Sequence, residues 1–221
     1  MNPVISIRTY PAPPVCKREI LRYAGCREAD ESISELLDSC LREAGDRLSY
    51  KVCFCRLQVS VREDICDFGI FELRSKNLAS NLAKCENIIL FAATVGVEID
   101  RLIARYGRLS PAKALMLQAF GAERIEALCD VFCRDIGKEL GVRTGPRFSP
   151  GYGDLPLDAQ KMIFSVLDCE KRIGLFLNDS LLMSPSKSVT AFVGICGDKE
   201  GQSPNKCSAC NKTDCAFRGA L

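Results

Sequence analysis

The sequence predicts an α+β fold, and three stretches of the chain carry this prediction. Residues 110–140 keep apolar residues at helical spacing over an unusually long span. Residues 87–96 (NIILFAATVG) form an almost continuous apolar run, which is typical of a strand buried on both faces. Residues 50–61 (YKVCFCRLQVSV) are rich in β-branched and aromatic residues. Long helices beside a few strands indicate a single domain with a mixed or antiparallel sheet.

The first half of the chain alternates between helical and extended patterns. Residues 4–10 alternate loosely and predict an edge strand. Apolar residues at helical spacing predict helices over 16–25 and 30–44. The run FGIFEL at 68–73 indicates another strand, and Ser75 is a typical N-cap for a helix over 75–85. With the apolar run at 87–96 as its second strand, this stretch is expected to form a strand–helix–strand unit.

The second half contains the longest predicted helix. A helical pattern over 97–107 comes first, and Ser110 with Pro111 is a typical start for the next helix. This helix should continue to about Leu140. Two short helices are expected over 157–174, and a strand at the end of 181–195.

One apolar stripe of the long helix contains a carboxylate, Glu126. A charge on such a face needs a hydrogen-bonding or charged partner, because an unpaired buried charge is costly. Two readings are open: a salt bridge, with Arg147 as one candidate partner, or an acid that supports a ligand. The predicted stripe consists of Leu115, Ala119, Ala122, Glu126, Cys129, Cys133, Ile136 and Leu140.

Composition excludes several classes of protein. The 221 residues carry a formal net charge of +2 with evenly scattered signs, so no basic face is available for nucleic acid. No apolar run approaches the ~18 residues that a membrane-spanning helix needs. Pro11, Pro13 and Pro14 are incompatible with a signal-peptide core near the start. We therefore expect a cytoplasmic protein without a membrane or nucleic-acid partner.

The loop RFSPGYG, residues 147–153, lies between two helical patterns and combines several special residues. Arg147 supplies a permanent cation, Pro150 fixes φ, and Gly151 permits positive φ. Tyr152 adds a flat ring with a hydroxyl group. The simplest alternative is an ordinary connection between helices, in which glycine and proline are common. A rigid loop of this kind can also present its backbone to a ligand.

This loop and the segments after it resemble the activation domain of cobalamin-dependent methionine synthase. The resemblance begins with the Arg-x-x-Pro-Gly-Tyr pattern and keeps its spacing over roughly fifty residues. Residues 18–25, 91–96 and 118–126 also look like segments of that family. The matching positions are Arg147, Pro150, Gly151 and Tyr152, then Glu170, Ile173 and Gly174, then Met183, Pro185 and Ser188.

The resemblance implies a curved sheet and a binding site for S-adenosylmethionine. In this site Arg147 would hold the carboxylate of the methionine moiety, and Tyr152 would pack against the ligand. Backbone groups from Ser149 through Pro150 to Gly151 would contact its polar edges. Glu126 lies in the helix segment that matches the family's carboxylate.

The implied reaction is reductive methylation of cob(II)alamin, with S-adenosylmethionine as the methyl donor. The chain has no histidine, so another polypeptide must carry the cobalamin. The expected partner is a cobalamin-binding methionine synthase or a related corrinoid protein. Two features depart from the family: we find no equivalent of its acidic ligand near the start of the module, and no later tyrosine matching its second tyrosine contact.

The end of the chain forms a cysteine-rich tail, residues 197–221, after a main body of residues 1–196. Four cysteines follow the spacing C-x10-C-x2-C-x4-C, and the close pair is typical of a metal-chelating loop. A zinc ion or an iron–sulfur cluster is one reading, and a redox-labile thiol tail is the other. The candidate ligands are Cys196, Cys207, Cys210 and Cys215.

The tail suggests an alternative function from a different class. The chain could serve a corrinoid methyltransferase as a docking, assembly or electron-transfer subunit without transferring a methyl group. Its tail would then dock a partner or accept electrons from a donor such as flavodoxin or ferredoxin. A cysteine-rich scaffold without a ligand is the third reading. Elsewhere in the chain, four cysteines are expected to be small core residues: Cys53, Cys55, Cys129 and Cys133.

Overall fold

A computed structural model describes residues 3–26 and 28–196 as an α+β domain, confirming the predicted fold class. The strands are β1 (Ser6–Tyr10), β2 (Tyr50–Gln58), β3 (Ser60–Arg62), β4 (Ile65–Asp67), β5 (Glu72–Arg74), β6 (Asn87–Thr94), β7 (Arg143–Phe148), β8 (Phe176–Leu177), β9 (Met183–Ser184) and β10 (Ser188–Cys196). The helices are α1 (Lys17–Tyr23), α2 (Glu31–Ala44), α3 (Lys76–Leu82), α4 (Glu98–Leu109), α5 (Pro111–Leu140), α6 (Ala159–Leu167) and α7 (Cys169–Ile173).

The central sheet has five antiparallel strands in the order β1-β2-β6-β10-β7. β1 is an edge strand, as its loose alternation predicts, and β7 forms the other edge. A smaller sheet contains β3, β4 and β5, and a two-stranded hairpin contains β8 and β9. None of the helices within the described residues combines the length and hydropathy needed to cross a bilayer.

Two apolar layers cover the two faces of the central sheet. Alternate residues of β6 point into opposite layers, so that Phe91 belongs to the first layer and Leu90 to the second. Helices α1, α2, α4 and α5 pack on the first face. Helices α3, α6 and α7 pack on the second face. The prediction that β6 is buried on both faces is confirmed.

Helix α5 is the longest element and runs along the first face. It begins at Pro111 and ends at Gly141, which adopts a left-handed conformation with φ 65°. The predicted apolar stripe is wrong at Leu115, which is exposed, and four of its other members are only partly buried: Ala122, Glu126, Cys133 and Leu140. The face that packs on the sheet and its neighbouring helices instead includes Leu117, Phe120, Arg124, Leu128 and Phe132.

The predicted strand over residues 68–73 is also wrong at its start. Residues 68–71 form the turn between β4 and β5, and Gly69 has φ 77° there. The Asp67 side chain accepts a hydrogen bond from the Gly69 amide at 2.7 Å. A glycine able to adopt positive φ breaks the apolar run into a hairpin. The following helix begins as predicted, because the Ser75 side chain caps the Leu78 amide.

Edge strand β7 contains an irregularity where it pairs with β10. Arg147 lies opposite Val193 and Thr144 lies opposite Ile195, so the register shifts between these two pairs. Gly145 and Pro146 occupy this shift. The bulge sits next to the arginine of the predicted ligand-binding loop.

Candidate functional site

Arg147 and Glu126 come together in the structure. Since Arg147 pairs with Val193 across the sheet, its side chain extends on the first face, toward α5. Its Nη2 lies 2.6 Å from Oε2 of Glu126, and its Nη1 donates to Asp130 one helical turn further along. The salt-bridge reading of Glu126 is therefore confirmed, with Arg147 as the partner. Asp130 is an additional partner that the sequence reasoning missed.

The electrostatics of this cluster keep Arg147 charged. Burial alone lowers the pKa of its guanidinium, but the negative carboxylates of Glu126 and Asp130 help to raise the pKa above the ordinary arginine value. Its side chain is 19% exposed, whereas those of Glu126 and Asp130 are 45% and 62% exposed. The cation thus lies beneath two carboxylates that face solvent.

A cleft of about 370 Å³ adjoins these carboxylates. It separates α5 from the segment that connects β1 to α1. Glu126 and Asp130 line the cleft, whereas Arg147 lies behind them and does not. The lining residues are Pro13, Pro14, Cys16, Glu19, Tyr23, Glu123, Glu126, Ala127, Asp130, Val131 and Arg134.

The opposite wall of the cleft is an N-terminal strap, residues 11–16, that a buried ion pair attaches to α5. Arg124 donates to the carbonyl oxygens of Pro13 and Pro14, at 2.5 and 2.8 Å. Glu123 pairs with Arg124 and also accepts a hydrogen bond from the Cys16 amide at 3.1 Å. The Arg124 and Glu123 side chains are only 1% and 5% exposed. This pair therefore fixes the width of the cleft.

The pKa of Arg124 follows from the same contacts. Burial alone lowers the pKa, but the hydrogen bonds and negative charge of Glu123 raise it above the ordinary arginine value. Sequence reasoning missed this pair because arginine and glutamate are rarely fully buried. One signal was available: both residues belong to a largely apolar helix, and the proline-rich strap has carbonyls that need donors.

The loop after Arg147 lies on the other side of the sheet edge. Phe148 pairs with Phe192 and packs into the second layer, so the backbone carries residues 149–153 away from α5. The amides of Gly151 and Tyr152 donate within the loop, to the carbonyls of Leu155 and Ser149. Gly151 has φ 86°, which explains the need for glycine.

The predicted loop residues therefore do not share the cleft with Glu126. Pro150 is buried, whereas the Tyr152 residue is 65% exposed to solvent. Ser149, Pro150, Gly151 and Tyr152 are all absent from the lining of the cleft. A ligand that contacts both Arg147 and residues 149–152 must pass over the edge of the sheet formed by β7.

Asp154 holds this loop against the start of α3. Its carboxylate accepts hydrogen bonds from the Ser75 hydroxyl and from the amides of Lys76 and Asn77. The Ser75 hydrogen bond is the largest cause that lowers the pKa of Asp154. The loop is therefore anchored before any ligand arrives.

The cysteines predicted to be core residues are buried or, at Cys133, partly buried, whereas Cys16 is exposed and lines the cleft. Cys53 and Cys55 are buried on one face of β2, as predicted, and Cys129 is buried on α5. Burial raises the pKa of Cys55 to about 12 and that of Cys129 well above its ordinary value. Such thiols are protonated at neutral pH and are poor metal ligands.

The predicted metal ligands lie largely outside the described part of the chain. Cys207, Cys210 and Cys215 fall beyond it, and Cys196 ends β10 without a described side chain. Within residues 3–26 and 28–196, no group of three or more potential ligand side chains is placed to hold a metal ion. The proposed metal site in the tail stays a prediction.

Comparison with known proteins matches this architecture to one family. The family model described as "Vitamin B12 dependent methionine synthase, activation domain" matches residues 77–200, which is more than half of the chain. No curated protein matches the chain. Among solved structures, the crystal structure of the MetH reactivation domain bound to AdoHcy is similar, with a TM-score of 0.63 and 15% identity. The match covers 91% of this chain and 81% of that one, and at this identity it shows a shared fold.

Proposed function

Since the chain belongs to the family of vitamin B12-dependent methionine synthase activation domains, we propose that it binds S-adenosylmethionine beside Arg147. In this role it supports reductive methylation of cob(II)alamin on another polypeptide. The observation that carries the proposal is the buried guanidinium of Arg147, held beneath Glu126 and Asp130 at the border of a cleft. The solved MetH reactivation domain was crystallised with AdoHcy, which supports a ligand of the same class.

The amino-acid end of the ligand fits the chemistry of the cleft. Glu126 offers a carboxylate to the ligand's ammonium group, and Arg147 can pair with its carboxylate by charge-assisted hydrogen bonds. The nucleoside end then extends over β7 toward the loop of residues 149–152. There the exposed ring of Tyr152 provides a surface for the adenine.

The chain's contribution to the reaction is positioning. The partner's cobalamin would supply the nucleophile for the methyl group after an external donor had reduced it by one electron. This chain would hold S-adenosylmethionine during the transfer and then release S-adenosylhomocysteine. No side chain needs to give or accept a proton in this transfer. The protein needs only to hold the donor with its methyl group facing the partner.

The partner in this proposal is a cobalamin-bearing methionine synthase or a related corrinoid protein in the cytoplasm. An electron donor such as flavodoxin or ferredoxin would supply the reducing equivalent. Cys196 and the three tail cysteines, Cys207, Cys210 and Cys215, would bind iron–sulfur or zinc and dock that donor. Iron and zinc analysis of anaerobically purified protein tests this last point, since a metal-free folded sample with titratable tail thiols contradicts it.

Calorimetric titration with S-adenosylmethionine tests the binding site itself. Arg147→Gln should weaken binding by about 10- to 100-fold, because a charge-assisted contact contributes roughly 1.5–3 kcal/mol. Arg8→Gln is the matched control, since Arg8 on the opposite edge strand also pairs with a glutamate of α5, Glu139. Absence of binding by the wild type, with and without a corrinoid protein present, would reject the proposal and favour a docking subunit.

A further inference from the structure

Asp130 occupies the position that a ligand carboxylate would need. Arg147 has two terminal nitrogens, of which Nη2 contacts Glu126 and Nη1 contacts Asp130. Both carboxylates line the cleft, and the guanidinium does not. A carboxylate that enters from the cleft therefore meets Asp130 or Glu126 before it can reach Arg147.

The two carboxylates differ in how easily they can leave. The Asp130 side chain is 62% exposed, whereas that of Glu126 is 45% exposed. A more exposed carboxylate is already well hydrated in its ion pair, so the pair contributes little free energy and opens at low cost. Asp130 is also the shorter side chain, so a change of rotamer withdraws it into solvent without moving the helix backbone.

We propose that Asp130 is an internal competitor for the ligand's carboxylate, a role that rests on the proposed function. In the free protein it neutralises Arg147 and holds its guanidinium in place. In the complex the ligand's carboxylate replaces it on Nη1, while Glu126 stays on Nη2. Asp130 thereby sets the affinity for donors that carry a carboxylate and leaves the affinity for other donors unchanged.

Calorimetry with two ligands tests this exchange. The ligands are S-adenosylmethionine and its decarboxylated analogue, which keeps the sulfonium, the amine and the nucleoside. Asp130→Asn should bind S-adenosylmethionine about two- to fivefold more tightly than the wild type, the range expected for release of an exposed ion pair. Its affinity for the decarboxylated analogue should stay within about twofold of the wild type.

Asp38→Asn provides the matched control. Asp38 lies in another exposed ion pair, with Lys17, and is absent from the cleft lining. This variant should leave both affinities unchanged. Thermal melts of both variants will show that the fold is intact, because neither aspartate is buried.

Three outcomes would overturn the proposal while leaving the proposed function in place. Equal or weaker binding of S-adenosylmethionine by Asp130→Asn would show that Asp130 does not compete. Equal tightening for both ligands would assign the effect to general electrostatics. Wild-type and Asp130→Asn proteins that each bind the two ligands with equal affinity would show that the ligand's carboxylate does not replace Asp130 on Arg147. If the wild type binds neither ligand, the proposed function itself fails, and the exchange fails with it.

Discussion

Helix α5 carries two arginine–carboxylate clusters that differ in their access to water. In the first, Arg124 and Glu123 are almost fully buried, and Arg124 directs its nitrogens to Glu123 and to two strap carbonyls. In the second, Arg147 is covered by Glu126 and Asp130, and both carboxylates face the cleft. The first cluster is closed to water, whereas the ion pairs of the second can open because their carboxylates are exposed. The comparison teaches that burial of the carboxylate, more than the presence of an ion pair, separates a contact closed to water from one that a ligand could reach.

The largest expected effect on stability is at the first, closed cluster, which contains Arg124 and Glu123. Arg124→Leu should lower the free energy of unfolding by about 3–5 kcal/mol, because it leaves Glu123 charged and buried without its partner. It also removes the donors of the Pro13 and Pro14 carbonyls. Urea denaturation monitored by circular dichroism measures the loss. A loss below about 1 kcal/mol would show that the strap is not fixed by this pair.

A smaller effect on stability is expected at the open cluster. Arg147→Leu should lower the free energy of unfolding by about 1 kcal/mol or less, since Glu126 and Asp130 can be hydrated when the arginine is removed. The same denaturation experiment gives the value. If Arg147→Leu destabilised the protein as much as Arg124→Leu, both clusters would be structural and the contrast would disappear.

The smallest expected effect on stability is at a third cluster, in which Glu43 contacts Lys113 and the Tyr106 hydroxyl. The hydrogen bond from Lys113 is the largest cause that lowers the pKa of Glu43, followed by that from Tyr106. The stabilising contribution of the Glu43 carboxylate should be complete above the ordinary carboxyl pKa. It should be lost as the pH falls through the lowered pKa of the folded protein. Glu43→Gln should therefore flatten the acid side of a plot of melting temperature against pH. An unchanged acid side would show that Glu43 is not coupled to folding.

Short sequence patterns predicted much of the secondary structure. Ser110, Pro111 and Gly141 stand at the ends of α5, where a proline can begin a helix and a glycine can end it. The continuous apolar run predicted β6 because both of its faces are covered. The pairing of Glu126 with Arg147 could also be anticipated, since a carboxylate on a helix face requires a partner.

Contacts between segments that lie far apart in the chain could not be predicted from the sequence. The hydrogen bond from Arg124 to the Pro13 carbonyl joins residues more than a hundred positions apart. The burial of Arg124 depends on how the strap crosses α5. Asp130 looked like an ordinary exposed helix residue until the fold placed Arg147 beside it. The hairpin at Gly69 was missed for another reason, because a glycine inside an apolar run is compatible with both a strand and a turn.

The bulge in β7 also affects how the protein behaves in solution. Pro146 has no backbone N–H and lies on an edge strand where the register with β10 already shifts. A strand from another molecule cannot form a continuous hydrogen-bonded ladder along this edge. The irregularity beside Arg147 therefore also disfavours aggregation through that side of the sheet.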